Sequence, residues 1–379
     1  MTSNQSSANN LPYIQYRKSN RSTAYEIRAL LDDIAAYQGP PLTFMEVCGT
    51  HTMAIAKSGL RSLLPSQINL VSGPGCPVCV TPVSYIDHAL ALSHLSSVTL
   101  TTFGDLLRVP GSPDSDEITN NLIHAKARGA DIRVVYSPLE ALKVAREHPS
   151  REIVFLGVGF ETTTPIIAAT ILNAQREGLN NFSVLCAHKT IPEAMAMLAN
   201  SDELKLDGFL APGHVSVVLG HSAYTELAIR YNVPCVIAGF EAIEIVRALS
   251  CLVAQCQSGR AVVENCYSAV VHINGNPRAR HILSQVFEPC DSIWRGLGII
   301  AHSGLRLRSE YAKFDAALKF SVSLKKSIEP VGCHCGEVLR GILDPVLCPL
   351  FGKTCTPENP IGACMVSSEG SCAARYYEV

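Results

Sequence analysis

The sequence is short of several things, and each shortage excludes a class of function. There is no excess of positive charge: 31 Lys and Arg stand against 33 Asp and Glu, a formal net charge of −2. A nucleic-acid binder would need a basic face, so that class is set aside. No uninterrupted apolar run reaches the roughly 18 residues of a membrane span. The polar, Ser- and Asn-rich stretch Met1 to Asn20 has no apolar core of the kind a secretory signal carries. A soluble cytoplasmic protein without a membrane partner is the expectation. No internal repeat is apparent.

Cysteine, by contrast, is plentiful. The chain has 379 residues and 15 cysteines, six of them between Cys333 and Cys372. Cytoplasmic thiols stay reduced, so a structural disulfide framework is not expected, and the odd total argues against simple pairing. Such clustering points to metal or redox chemistry. Hydrophobic residues make up 47% and charged residues 17%, ample for a buried core.

Residues 1–40 are expected to be a disordered tail followed by a helix. Thr23 to Glu26 has capping-box spacing, and Ile27, Leu30, Leu31 and Ile34 follow at helical period. Short apolar runs then alternate with amphipathic stretches. The runs are 43–47, 68–72, 98–102, 132–136, 153–158, 182–187, 208–211 and 235–238. Continuous apolar strands alternating with helices predict α/β architecture with doubly wound parallel sheets, Rossmann-like in kind. The polar break at 147–152 suggests two such domains, 41–150 and 151–290, and the Cys-rich remainder, 291–379, reads as a third. That remainder has little helix or sheet signal, and a bound metal would supply its missing core.

Ligands in open α/β sheets collect beyond the carboxyl ends of the strands. Three unusual turns lie there. Cys48-Gly49-Thr50-His51 follows the first strand, with a helix predicted from about Thr52. A thiol beside a helix N-terminus has its thiolate favoured, and His51 offers a second ligand or a proton carrier. A small buried Cys with a capping Thr is the bland alternative. Cys76 and Cys79 form C-x-x-C after the second strand. A redox dithiol is favoured over half a zinc site, because no second pair follows at zinc-ribbon spacing. The third turn, Gly157-Val158-Gly159-Phe160-Glu161-Thr162-Thr163-Thr164-Pro165, begins like a dinucleotide fingerprint but has Thr162 where the third glycine should be. Its hydroxyls and N–H groups suit a small polar ligand, and Glu161 could serve as acid or base; simple N-capping is the alternative. His188 and His214 sit at two further post-strand turns.

In the tail, six thiols exceed the four that one structural zinc takes, and their spacing is unlike paired zinc knuckles. An iron–sulfur cluster tolerates varied spacing. Cys333, Cys348, Cys355 and Cys372 form one candidate set, with gaps of 14, 6 and 16 residues. Sets that use Cys335 or Cys364 remain open on spacing alone.

Taken in order, Cys48-Gly49-Thr50-His51, Gly73 to Cys79, Gly159 to Thr163, Ala211 to Val215, Cys335 to Gly341, Cys348 to Gly352 and Met365 to Gly370 resemble the HypD family of [NiFe]-hydrogenase maturation factors. The resemblance implies two α/β domains and a C-terminal domain around a [4Fe–4S] cluster. It implies pairing with a small HypC-type chaperone, cyanide supplied through a HypE-type donor, and delivery to the precursor of the hydrogenase large subunit. By the same resemblance Cys48 anchors the iron that acquires cyanide and carbon monoxide. Cys76 and Cys79 match the redox dithiol, and the cluster ligands fall on Cys333, Cys348, Cys355 and Cys372. The arrangement is similar to ferredoxin:thioredoxin reductase, so a cluster-dependent thiol–disulfide reductase is the competing function. A zinc-stapled adaptor is the third.

Overall fold

The computed structural model describes residues 11–113 and 120–378. A disordered tail is expected over residues 1 to about 21; residues 1–10 lie outside the described ones, and residues 11–21 are helical instead. The first helix, α1 (Leu11–Ala35), starts well before the predicted Thr23 cap, so that capping-box pattern falls inside a helix.

All eight predicted strands form. They are β1 (Leu42–Glu46), β2 (Ile68–Ser72), β3 (Val98–Thr102), β4 (Ile132–Val134), β5 (Glu152–Gly159), β6 (Phe182–His188), β7 (Gly208–Pro212) and β8 (Cys235–Ala238). A short ninth, β9 (Val263–Asn265), joins them. They make two parallel sheets, ordered β2-β1-β7-β8-β9 and β4-β3-β5-β6. The chain is α/β, as its alternating pattern required. Both sheets are covered on their faces, which is why β7 and β8 are apolar and buried throughout, and why even the Thr-rich β3 is buried along its whole length.

The expected linear division at residue 150 is corrected by this topology. The chain lays down β1 and β2, leaves to build the whole of the second sheet, then returns to add β7 beside β1. Residue 150 falls between β4 and β5, inside one sheet. The polar break there is an ordinary helix-to-strand loop; periodicity registers such a loop but not which strand the next one will pair with.

A hairpin, β10 (Phe287–Trp294) and β11 (Gly298–Leu307), follows, bulged between Cys290 and Ser292. Sequence periodicity missed it. It packs against the second sheet through Phe287, Leu305 and Leu307. Lys189, buried at the end of β6, pins it: its ammonium donates to Ser292 Oγ at 2.8 Å and to the Ile293 carbonyl at 2.7 Å. Burial lowers that ammonium to about 7.

The largest core joins both sheets to the Cys-rich tail: Met45 from β1, Leu100 and Val154 from the second sheet, and Leu339, Cys355 and Cys364 from the tail share one cluster. The tail is mostly irregular, ending in the helix Ser371–Glu378. Among the described residues no helix is long and apolar enough to cross a membrane.

Candidate functional site

The Cys48 turn is built by close backbone contact. Cys48 is the extended N-cap residue of helix α2 (Gly49–Ser58), so that helix begins three residues earlier than predicted. Gly49 N–H donates to the Gly75 carbonyl at 3.0 Å, which ties the turn after β1 to the turn after β2. A Cβ on Gly75 would lie 2.2 Å from the Cys48 nitrogen, so only glycine permits this approach.

Beneath the turn lies Glu46, fully buried at the end of β1. Its carboxylate accepts from Cys48 N–H at 3.1 Å and from Thr52 Oγ at 2.6 Å. Burial raises this acid to about 7, against the lowering effect of its hydrogen bonds. Burial also pushes the Cys48 thiol up to about 12, although the His51 and Thr50 N–H groups favour the thiolate. The expected thiolate stabilisation at the helix start is therefore present but outweighed. In the free protein Cys48 keeps its proton.

Cys48 lines a cavity of about 300 Å³ at the junction of the two sheets. Its walls come from the carboxyl ends of β1, β5 and β7 and from the turn after β3. Thr50, Thr162, Thr163, His214 and Glu369 supply its polar groups. Glu369 accepts from Thr50 Oγ at 2.9 Å, and Ser367 donates to Asp105 at 3.0 Å, so the tail closes one side. The His214 ring stacks on Phe240 at 4.0 Å.

Two predicted residues lie elsewhere. His51 is wholly buried behind the turn, its Nε2 2.9 Å from the Gly239 carbonyl and its Nδ1 without a partner among the described residues. That geometry makes Nε2 the protonated nitrogen, and burial lowers the imidazole to about 4. A ligand role beside Cys48 would need it at the cavity, where it is not. Glu161 also points away. One oxygen accepts from Ile191 N–H at 2.9 Å at the start of the helix Ile191–Ala199, and the other has no partner among the described residues. Burial raises it to about 8. Its neighbour Thr162 faces the cavity, while Thr163 and Thr164 donate back to the Phe160 carbonyl. A Cβ on Gly159 would fall 1.8 Å from Thr163 Oγ, which explains the glycine without a dinucleotide.

Cys76 and Cys79 are joined as a disulfide, with Cα atoms 5.3 Å apart. Cys76 caps the short helix Pro77–Val80, accepting from Cys79 N–H at 3.2 Å. Pro77 and Val78 line the cavity, but the sulfurs turn towards the tail. Cys79 Sγ lies 3.8 Å from the Ala363 carbonyl, and a Cβ on Gly370 would come within 3.0 Å of it. The pair is nearly inaccessible, Cys76 being 3% exposed and Cys79 0%. Arg295, from the hairpin turn, clamps the same segment through the Val80 and Thr81 carbonyls at 2.8 and 2.9 Å.

In the tail, Cys333, Cys335, Cys348, Cys355 and Cys372 line one small cavity walled by Val338, Leu350, Phe351 and Met365. Cys364 is not part of its lining and is fully buried beside Cys335 and Cys372. A Cβ on Gly362 would strike the sulfurs of Cys333 and Cys335 at 2.5 and 2.6 Å, so the glycine leaves room for thiols. Among the described residues no three His, Cys, Asp or Glu converge to hold a single metal ion. A tetrahedral zinc requires such convergence at about 2.3 Å per thiolate, whereas a cuboidal cluster spreads its thiolates over separate irons. Soft donors around an apolar hollow are of the kind that an iron–sulfur cluster takes.

The residues that sequence reasoning missed are carboxylates: Glu46, Asp105 and Glu369. Glu46 carried a signal, since it is the only charged residue within the apolar run 43–47. Asp105 and Glu369 become neighbours of the cavity only through folding.

The family described as "Hydrogenase formation hypA family" (HypD) matches residues 25–378. The chain is 46% identical over 357 residues to the hydrogenase maturation factor HypD of Azotobacter vinelandii, covering 92% of this chain and 93% of that protein. It is 47% identical over 356 residues to the HypD of Rhodobacter capsulatus, covering 93% of each. Against the HypD of Escherichia coli K12 the identity is 45% over 339 residues, covering 89% of each.

Proposed function

The chain belongs to the HypD family of hydrogenase formation factors, and from that premise we propose that it is the scaffold on which a hydrogenase iron receives cyanide and carbon monoxide. The observation that carries this reading is the placement of Cys48. Its thiol stands on the wall of a cavity to which both sheets bring strand carboxyl ends.

The iron is the cargo. A ferrous ion displaces the Cys48 proton, and the soft thiolate suits a low-spin iron with strong-field ligands. Burial disfavours the metal-free thiolate, so the anion exists chiefly as a metal ligand. The Thr162 hydroxyl and the His214 ring are placed to donate hydrogen bonds to cyanide nitrogens, whereas Thr50 and Thr163 already donate to Glu369 and the Phe160 carbonyl. A HypC-type chaperone covers the mouth, a HypE-type protein delivers cyanide, and the large-subunit precursor takes the finished iron.

Cys333, Cys348, Cys355 and Cys372 would hold a [4Fe–4S] cluster, which when bound supplies single electrons. Cys335, at the same hollow, could take the place of one of them. The protein's own part is to keep the Cys76–Cys79 disulfide between the tail thiols and the Cys48 cavity, shielded from solvent. That shielding disfavours the thiol–disulfide reductase reading, because a macromolecular disulfide substrate could not reach sulfurs so buried.

The test is anaerobic purification with the HypC-type partner and the full maturation set, followed by infrared and Mössbauer spectroscopy. Cyanide and carbonyl stretches are expected from the native protein and not from Cys48→Ala, while a four-iron signal persists in both. A folded Cys48→Ala protein that keeps the stretches overturns the role of Cys48. Colourless protein with stoichiometric zinc overturns the cluster.

A further inference from the structure

Three cysteines lie at or beside the helix Ala242–Gln257 and the strand that follows it, away from the site described above. Cys251 is on the helix, and Cys266 immediately follows β9. Their sulfurs are 3.7 Å apart, and both residues are half-buried. The third, Cys256, instead directs its thiol to the Asp207 carbonyl at 3.2 Å.

We propose that Cys251 and Cys266 form a second dithiol–disulfide couple, which when oxidised locks the helix Ala242–Gln257 to the chain leaving β9. The sulfurs need to close from 3.7 Å to a bond of about 2 Å, a movement within reach of side-chain rotation. Little else has to move. Cys266 N–H is held by the Ile237 carbonyl at 3.0 Å, and the helix is packed on its buried face through Ile245, Leu249 and Leu252. Partial exposure gives a small oxidant access that the Cys76–Cys79 pair lacks.

The oxidant is a low-molecular-weight disulfide. The Cys251 thiolate attacks one of its sulfurs, forming a mixed disulfide and expelling one small thiolate, which takes up the proton that Cys251 released. The Cys266 thiolate then attacks the Cys251 sulfur and expels the second small thiolate, protonated in turn. Two cysteine thiols are oxidised and one small disulfide is reduced to two thiols. The order follows from the surroundings. The contact with Cys266 holds the Cys251 thiol below its usual value, with the Arg247 guanidinium assisting, while the same contact and burial push Cys266 up.

The couple is one residue from the cavity's supporting rings. Tyr267 meets Phe240 edge-on at 6.0 Å, and Phe240 carries His214.

The full chain, purified reduced and without air, is treated with glutathione disulfide, alkylated, digested with trypsin and analysed by mass spectrometry. A linked pair of peptides, residues 248–260 and 261–278, is expected. Its yield should fall more than tenfold in Cys251→Ser and in Cys266→Ser and stay unchanged in Cys256→Ser. Absence of the link from the native sample after treatment with an excess of glutathione disulfide overturns the proposal. So does a link that survives Cys251→Ser, since it would run through Cys256.

Discussion

Gly75→Ala is the sharpest single perturbation of the Cys48 turn. The added methyl carbon would stand 2.2 Å from the Cys48 nitrogen, 2.5 Å from the Val47 carbonyl carbon and 2.6 Å from the Cys48 Cα. All three are backbone atoms, so no side-chain rotation relieves the clash. Relief requires the turns after β1 and β2 to separate by roughly 1 Å, which breaks the Gly49 N–H bond to the Gly75 carbonyl. Overpacking without a rotamer escape costs about 3 kcal/mol, and the lost hydrogen bond about 1 kcal/mol more. The sum, about 4 kcal/mol, is a large fraction of the roughly 5–15 kcal/mol that holds a typical domain together. The same displacement carries Cys48 away from Thr162 and His214. Misplacement by about 1 Å commonly costs on the order of a hundredfold in activity. The expected result is a lower urea midpoint, by an amount corresponding to about 4 kcal/mol, and loss of iron loading even in the folded fraction. An unchanged midpoint together with normal iron loading would refute the close approach of the two turns.

Other predictions follow from the buried groups. Glu46 has a folded value of about 7, above the usual carboxylate range, so the folded state holds its proton more tightly than the unfolded state. Its stabilisation is complete below the unfolded value and is lost as pH rises through the folded one, about 3 kcal/mol in all. Urea titrations between roughly pH 5 and pH 8 should show a flatter profile for Glu46→Gln than for the native protein; parallel profiles would contradict the burial. Alkylation of Cys48 in metal-free protein near neutral pH should run a hundred- to a thousandfold slower than that of free cysteine, on the order of the thiolate fraction at a thiol pushed to about 12; labelling at the free-cysteine rate would place the thiol in water. Arg295→Met removes donors to Thr81 and Glu329 and leaves the Thr81 carbonyl unpaired, a loss of about 2–3 kcal/mol. Faster reduction of Cys76–Cys79 by dithiothreitol should accompany it, and an unchanged reduction rate would show that the hairpin does not shield the disulfide.

Local chemistry made much of this protein legible in its sequence. Apolar runs bounded by turns identified eight strands, because a parallel strand buried on both faces must be apolar along its length. The turns that carry Cys48, Cys76 and Thr162 were legible for a related reason: strand carboxyl ends are where an α/β sheet gathers its chemistry. The hairpin Phe287–Leu307 was not legible. Its burial alternates in β10, but Glu288, Asp291 and Arg306 dilute the apolar signal that the other strands carry.

What the sequence alone determined is therefore the inventory: α/β class, parallel strands, post-strand thiols and a tail rich in soft donors. Tertiary structure decided how the inventory is joined. It placed β7 beside β1 across more than a hundred residues of intervening chain, a pairing set by shared core packing that local periodicity does not encode. It turned His51 and Glu161 away from the cavity while their neighbours Thr50 and Thr162 face it, because one residue along a turn reverses a side chain's direction. It also set the acidity of Cys48 and Glu46, since burial is a property of everything packed around a group and outweighed the favourable N–H groups that the sequence had already supplied.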